Sequence, residues 1–103
     1  MNDHRVLNML GLAKRAGRII AGEERTLESV RSENAKIVFI ANDAGESTAK
    51  KIKDKCSYYK IPLIDQFTSH ELSLATGASN RVTLSIADPG FSRKLLELIE
   101  KGK

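Results

Sequence analysis

Residues 36–47, KIVFIANDAGES, join a short apolar run to an abrupt polar break. A continuous apolar run of this kind is typical of a central strand that is buried on both faces of a sheet. Beyond the break, Ala49, Ile52, Cys56 and Tyr59 recur at helical spacing, which predicts a helix with one face on the core. A buried strand followed by an amphipathic helix is the repeating unit of an α/β fold.

Helical and strand patterns alternate on both sides of this segment. Towards the N-terminus, an amphipathic helix is predicted to end at Gly17, followed by an extended piece at 18–21 and a second helix that opens at Gly22. Towards the C-terminus, the patterns predict a strand at 61–64 near an edge of the sheet, followed by a helix that opens with a capping box at 68–71 and ends at Gly77. A strand at 82–86, with one face more polar than the other, and a last helix from Pro89 follow. This order predicts a three-layer α/β/α sandwich around a four-stranded sheet.

Composition sets limits on size, compartment and partners. The chain has 103 residues, 41% hydrophobic and 29% charged, so we expect one soluble domain over residues 1–103. Its longest apolar run is far short of the roughly 20 residues that span a bilayer, and we expect no signal peptide and no membrane partner. The single cysteine, Cys56, cannot form an internal disulfide, which favours the cytoplasm. A formal net charge of +4 is compatible with an anionic partner.

The sequence carries no recognisable catalytic or cofactor motif. Phosphate-binding glycine motifs are absent, and the histidines, His4 and His70, have no nearby cysteine partner that would suggest a metal site. Cys56 lies on the apolar stripe of its helix, and Glu23 and Glu24 are adjacent rather than facing. We therefore expect a non-catalytic protein with no cofactor and no metal.

Residues 10–24, LGLAKRAGRIIAGEE, concentrate basic side chains before a sharp turn. Lys14, Arg15 and Arg18 are expected to converge where the first helix ends, next to the N-terminus of the second helix. Exposed amides and the positive end of the helix dipole would make that place attractive to phosphate. A basic face that is merely solvated is the alternative interpretation.

Five stretches carry a resemblance to a known family: LGLAKRAGRIIAGEE, AKIVFIANDA, DKCSYYKIPL, LSLATGASNRV and IADPGF. In order and spacing they resemble the kink-turn-binding ribosomal proteins, the superfamily of L-seven-Ae and L-thirty-e, and in particular its small bacterial YlxQ-type branch. The resemblance covers nearly the whole chain. It implies a mixed sheet with one antiparallel strand and binding to an RNA kink-turn, a sharply bent internal loop flanked by sheared G·A pairs.

The resemblance also implies which residues contact RNA. A segment at the start of the second helix would read the G·A pairs, basic residues would hold phosphates, and the loop before the last strand would pack on a splayed-out nucleotide. In this chain the reading segment is Gly22, Glu23, Glu24, Arg25 and Glu28; the phosphate holders are Lys14, Arg15 and Arg18; the loop is Ala78, Ser79, Asn80, Arg81 and Val82.

Two residues of the reading segment depart from the family pattern. Arg25 stands where an acceptor is common, and Glu28 stands where a lysine usually faces RNA. Because these residues are three apart on a helix, we expect them to lie close enough to pair.

The expected partner is structured RNA, with ribosomal RNA as one candidate, bound by a monomer; no DNA partner is expected. Two alternatives remain open at this point. One is a protein-interaction module on the same fold, with RNA binding weakened by Glu28. The other is a small enzyme that uses the strand ends near Asn42, Asp43 and Gly45.

Overall fold

Five helices alternate with four strands along the chain. A computed structural model describes residues 3–101. The elements are α1 (Asp3–Arg15), β1 (Ile19–Ala21), α2 (Glu23–Arg31), β2 (Ile37–Ile40), α3 (Glu46–Tyr59), β3 (Leu63–Ile64), α4 (Ser69–Thr76), β4 (Thr83–Ile86) and α5 (Pro89–Lys101). The predicted order of elements is confirmed. None of the helices in the described range has the length and hydrophobicity that a bilayer-spanning segment needs.

The four strands form one sheet in the order β1-β4-β2-β3. β4 runs antiparallel to both of its neighbours, β1 and β2, whereas β2 and β3 are parallel. β4 is therefore the one antiparallel strand of a mixed sheet, as the family resemblance implies. The predicted strand at 61–64 is shorter in the structure, where β3 covers only Leu63–Ile64, but it lies at an edge of the sheet as predicted. Pro62 precedes β3, so its missing amide breaks no ladder.

The central strand β2 divides the hydrophobic core in two, and all four of its residues are buried. Phe39 faces the cluster formed with α1, α4 and α5, and Val38 faces the cluster formed with α2 and α3. Since side chains alternate across a strand, one buried run supplies both cores. The three-layer α/β/α sandwich is confirmed.

Helix ends follow the predicted capping chemistry. The Thr68 hydroxyl accepts from the Glu71 amide, and the Glu71 carboxylate accepts from the Thr68 amide, which completes the capping box of α4. Gly77 closes α4 in the left-handed conformation. At the start of α5, the Asp88 carboxylate accepts from the Phe91 amide. These caps orient α4 and α5 on one face of the sheet.

The more polar face of β4 is buried beneath α2 rather than exposed. Ser85 is fully buried, and its hydroxyl lies 2.8 Å from that of Ser29 on α2. Leu27 and Val30 supply the apolar part of the same contact. Small polar side chains therefore let α2 lie close to the sheet, and this fixes where α2 begins.

Candidate nucleic-acid interface

Three connecting segments meet at one end of the sheet, where β1 and β2 finish and β4 begins. The Gly22 amide, just before α2, donates to the Thr83 carbonyl at 3.2 Å. The Ala41 amide, just after β2, donates to the Val82 carbonyl at 2.8 Å. Because β4 runs antiparallel to β1 and β2, its beginning lies beside their ends. The start of α2, the β2–α3 connection and the α4–β4 loop are therefore neighbours.

A cleft of about 300 Å³ opens between these segments. It is lined by Gly22, Glu23, Gly45, Thr48, Asn80, Arg81, Val82 and Thr83. We call it the strand-end cleft. It brings part of the predicted reading segment together with part of the predicted loop, although more than fifty residues separate the two in the sequence.

Gly22 starts α2 with a backbone that other residues rarely adopt. Its φ of 100° and ψ of 151° fall in a region populated essentially by glycine. Among residues 3–101, no side chain makes a capping hydrogen bond at the N-terminus of α2. The first amides of the helix, beside the cleft that Gly22 and Glu23 line, therefore have no side-chain acceptor in this range and lie at the positive end of the helix dipole.

The Glu23 carboxylate is held by α3. One oxygen accepts a 2.6 Å hydrogen bond from the Thr48 hydroxyl, and the other lies 3.5 Å from the Lys51 ammonium. The Thr48 hydrogen bond, helped by the positive charge of Lys51, lowers the pKa of Glu23 despite some desolvation. Glu23 is thus ionised at neutral pH and ties α2 to α3. Sequence reasoning missed both partners, since Thr48 and Lys51 lie 25 and 28 residues further along the chain.

The rest of the reading segment points to solvent. Glu24, Arg25 and Glu28 are all exposed on α2. The expected pairing of Glu28 with Arg25 is wrong: Glu28 instead lies 3.2 Å from Arg31, one turn further on. Within residues 3–101, Arg25 takes part in no ion pair, so its guanidinium remains available as a donor beside the open N-terminus of α2.

The loop at 78–82 is anchored from beneath. The Ala78 amide donates to the Ser73 carbonyl, and the Arg81 amide donates to the Ser73 hydroxyl at 2.8 Å. Ser79 and Asn80 are exposed, and Asn80 adopts a left-handed φ of 59°. Arg81 is half-buried, and among the described residues its Nε has no hydrogen-bond partner. Ser73 therefore anchors the loop to α4, Ala41 holds its end at Val82, and its tip lies beside the cleft.

The predicted basic cluster lies elsewhere, so the expectation that it converges beside the N-terminus of α2 is wrong. Lys14, Arg15 and Arg18 are exposed, but Arg18 precedes β1 whereas Gly22 follows it. At the usual rise per residue along a strand, the Cα atoms of Arg18 and Gly22 lie about 13 Å apart. The Arg18 guanidinium lies 3.9 Å from Asp88, which follows β4 at the opposite end of the sheet.

The sharp turn after α1 explains this separation. α1 ends at Arg15, two residues before the predicted end, because Gly17 adopts a left-handed φ of 71°. The Arg18 amide then donates back to the Ala13 carbonyl, which closes the turn and directs the chain into β1. In addition, α1 and α2 pack on opposite faces of the sheet.

The groups weighed for catalysis have structural roles. The Asp43 carboxylate accepts from the amide and hydroxyl of Ser69, which lowers its pKa and fixes the start of α4. Cys56 is buried beside Ile52, and burial raises the pKa of its thiol to about 11. Over residues 3–101, histidine, cysteine and acidic side chains form no group of three that could hold a metal.

Comparison with known proteins shows the family to which the chain belongs. The model of the ribosomal protein L7Ae/L30e/S12e/Gadd45 family matches residues 4–96. The chain belongs to this family. It is 48% identical over 99 residues to the RNA-binding protein YlxQ of Enterococcus faecium, which covers 96% of this chain and 95% of that protein. It is 38% identical over 92 residues to YlxQ of Bacillus subtilis strain 168, which covers 89% and 92% of the two chains.

Solved structures of similar proteins share the fold. A protein of unknown function from Bacillus halodurans C superimposes with a TM-score of 0.87 at 40% identity, over 92% of this chain and 96% of that one. The Giardia lamblia 15.5kD RNA binding protein superimposes with a TM-score of 0.80 over 97% and 86% of the chains; at 20% identity this likeness speaks for the fold alone. The predicted family and its bacterial branch are confirmed. The family consists of ribosomal and RNA-binding proteins, so this member is not an enzyme, as predicted.

Proposed function

We propose that this chain binds structured RNA at the strand-end cleft and that a kink-turn, in ribosomal RNA or another structured RNA, is the element it binds. The observation that carries the proposal is the meeting of the uncapped N-terminus of α2 with the loop at 78–82. The names of the YlxQ relatives, both called RNA-binding proteins, support it.

The exposed start of α2 offers complementary hydrogen-bonding groups for base edges. Glu24 supplies a carboxylate that can accept from guanine amino and imino groups, and Arg25 supplies a guanidinium that can donate to guanine O6 and N7. Gly22 has no side chain, so the RNA backbone can come close to the first amides of the helix. Glu23 acts indirectly, because its carboxylate is occupied by Thr48 and Lys51 and fixes the position of α2.

The α4–β4 loop forms the second side of the proposed interface. Ser79 and Asn80 are exposed at its tip, and Val82 lines the cleft next to Gly22. A nucleotide that leaves the stack can pack against this apolar and amide surface, in keeping with the way proteins read unstacked RNA. Arg81, whose Nε is unpaired among the described residues, supplies a positive charge at the same place.

The basic residues near the end of α1 have a different part in this proposal. Arg18 lies at the far end of the sheet from the cleft, beside Asp88, and Lys14 and Arg15 precede it in the last turn of α1. In this proposal they do not grip the nucleotides that α2 reads. They strengthen RNA binding only through long-range attraction. At 0.1 M salt this attraction is largely screened at distances beyond about 10 Å.

A titration at equilibrium tests the proposal. The protein is titrated against a kink-turn RNA and against the same RNA with its sheared G·A pairs replaced by Watson–Crick pairs. We expect the kink-turn to bind more tightly, with an affinity that falls steeply between low and moderate salt. Equal binding of both RNAs would contradict kink-turn recognition, and binding of neither would favour the protein-interaction alternative.

A further inference from the structure

An exposed aromatic residue marks a second surface, on the outer side of α3. Tyr58 is 78% exposed, although large apolar side chains usually lose most of their surface on folding. Its ring meets that of Tyr59 edge-on, with centroids 4.9 Å apart and an interplanar angle of 79°. Tyr59 packs on the core between α2 and α3. Tyr58 therefore lies against an anchored neighbour, while most of its surface stays open.

Two lysines connect this ring to the strand-end cleft. Lys51, Lys55 and Tyr58 are spaced i, i+4 and i+7 on α3, so they share one side of the helix. Lys51 lies 3.5 Å from Glu23, which lines the cleft. Tyr58 stands two turns further, about 10 Å along the helix axis. The stripe Lys51–Lys55–Tyr58 thus begins at the cleft and leads away from it.

The charge of this side of α3 suits a phosphate backbone. Helix α3 carries four lysines, Lys50, Lys51, Lys53 and Lys55, against two acids, Glu46 and Asp54, and it remains net positive after Lys51 is paired with Glu23 of α2. An aromatic ring that follows a row of cations is the combination with which proteins bind single-stranded nucleic acid: the charges track the backbone and the ring stacks on a base. Such stacking tolerates any base, because every base has a π face.

We infer that the stripe Lys51–Lys55–Tyr58 binds unpaired nucleotides that extend from the RNA element held in the strand-end cleft, with one base stacked on Tyr58. This inference rests on the proposed function, because it needs an RNA seated in the cleft. The occupant is single-stranded RNA rather than duplex, since a base inside a helix cannot offer its face to a side chain.

Three RNAs and four variants test the inference. One RNA is a kink-turn with blunt stems, and the other two each add a few unpaired nucleotides to one of the two stem ends. The wild-type protein should bind one of the extended RNAs about five- to 150-fold more tightly than the blunt RNA, the range of one stacked base. Tyr58→Ala should abolish this gain and leave blunt-RNA affinity within about twofold, whereas Tyr58→Phe should keep it, because the stacking face remains.

Leu74→Ala is the matched control, because Leu74 is 70% exposed on α4, on the opposite face of the sheet. It should leave the gain unchanged. Since Tyr58 is exposed, its variants should melt like the wild type, and a third Tyr58 variant, Tyr58→Glu, should also remove the gain. The inference is overturned if the wild type binds extended and blunt RNAs equally, or if Tyr58→Ala retains the gain. It is also overturned if Tyr58→Ala lowers the affinity for the blunt RNA as much as that for the extended RNA. If none of the RNAs binds, the proposed function fails and this inference fails with it.

Discussion

Reversing the charge of Glu28 tests whether the outer side of α2 faces RNA. Glu28 is 70% exposed and lies on the helix that begins at the strand-end cleft. A carboxylate at this place repels any phosphate that approaches α2. Glu28→Lys removes that repulsion and adds a cation that can contact the backbone. We therefore expect the variant to bind a kink-turn more tightly than the wild type.

The structure sets the size of the effect. Glu28 pairs with Arg31 at 3.2 Å, but the pair is exposed and spaced i, i+3, so its loss costs only about 0.2–0.5 kcal/mol of stability. An exposed contact with phosphate is worth on the order of 1 kcal/mol, and relief of the repulsion is worth a similar amount. Together they raise the affinity about five- to thirtyfold at low salt, and the gain shrinks as salt is added.

The assay compares wild type, Glu28→Lys and Glu97→Lys on the same kink-turn. Glu97 is exposed on α5, which packs on the opposite face of the sheet from α2. Glu97→Lys therefore makes the same change of net charge away from the proposed interface and should alter affinity by less than about twofold in 0.1 M salt. Equal affinity of Glu28→Lys and wild type, or equal gains in both variants, would refute the placement of α2 against RNA.

Other variants test the backbone, the basic residues and the core. Gly22→Ala should lower the free energy of unfolding by about 1–3 kcal/mol, because its φ of 100° strains any side chain; an unchanged urea midpoint would contradict this. The double variant Arg15→Ala, Arg18→Ala should weaken kink-turn binding less than Arg25→Ala alone, since Arg18 lies at the far end of the sheet and Arg15 precedes it at the end of α1; a larger loss would return them to the interface. Burial raises the pKa of the Cys56 thiol from 9.0 to about 11. At pH 8 the thiol should therefore react with a thiol reagent about a hundredfold more slowly in the folded protein than in urea. Fast labelling of the folded protein would show an accessible thiolate.

The order of elements could be predicted from the sequence because each signal is local. An unbroken apolar run identified β2, and the capping residues Thr68 and Glu71 marked the start of α4 through contacts only three residues apart. The direction of β4 is not a local property, and it followed from the family resemblance rather than from periodicity.

The basic cluster shows how a prediction failed although its signal was present. The sequence already indicated an extended piece between Arg18 and Gly22, and four residues in a strand span about 13 Å. Counting that length would have separated the basic turn from the start of α2. The Glu28 pairing had a signal too: an acid placed N-terminal to its cation suits the helix dipole, which favours Arg31 over Arg25.

The contacts of Glu23 could not be predicted in the same way. Thr48 and Lys51 lie 25 and 28 residues further along the chain and reach Glu23 only because α2 and α3 pack side by side on one face of the sheet. A hydroxyl and an ammonium on a helix surface look solvated until the neighbouring helix is placed. Packing of α2 against α3 therefore decides that the Glu23 carboxylate is held within the fold, whereas Glu24 stays exposed to a ligand.

Crosslinking of bound RNA, with the crosslinked peptides mapped, tests the central claim most directly. RNA bound to the intact protein is crosslinked by ultraviolet light, the protein is digested, and the modified peptides are identified. Crosslinks should fall on the start of α2, residues 22–28, and on the loop at 78–82, and should disappear when a kink-turn competitor is added. Crosslinks confined to α1 or α5, or an absence of any crosslinked RNA, would contradict an RNA interface at the strand-end cleft.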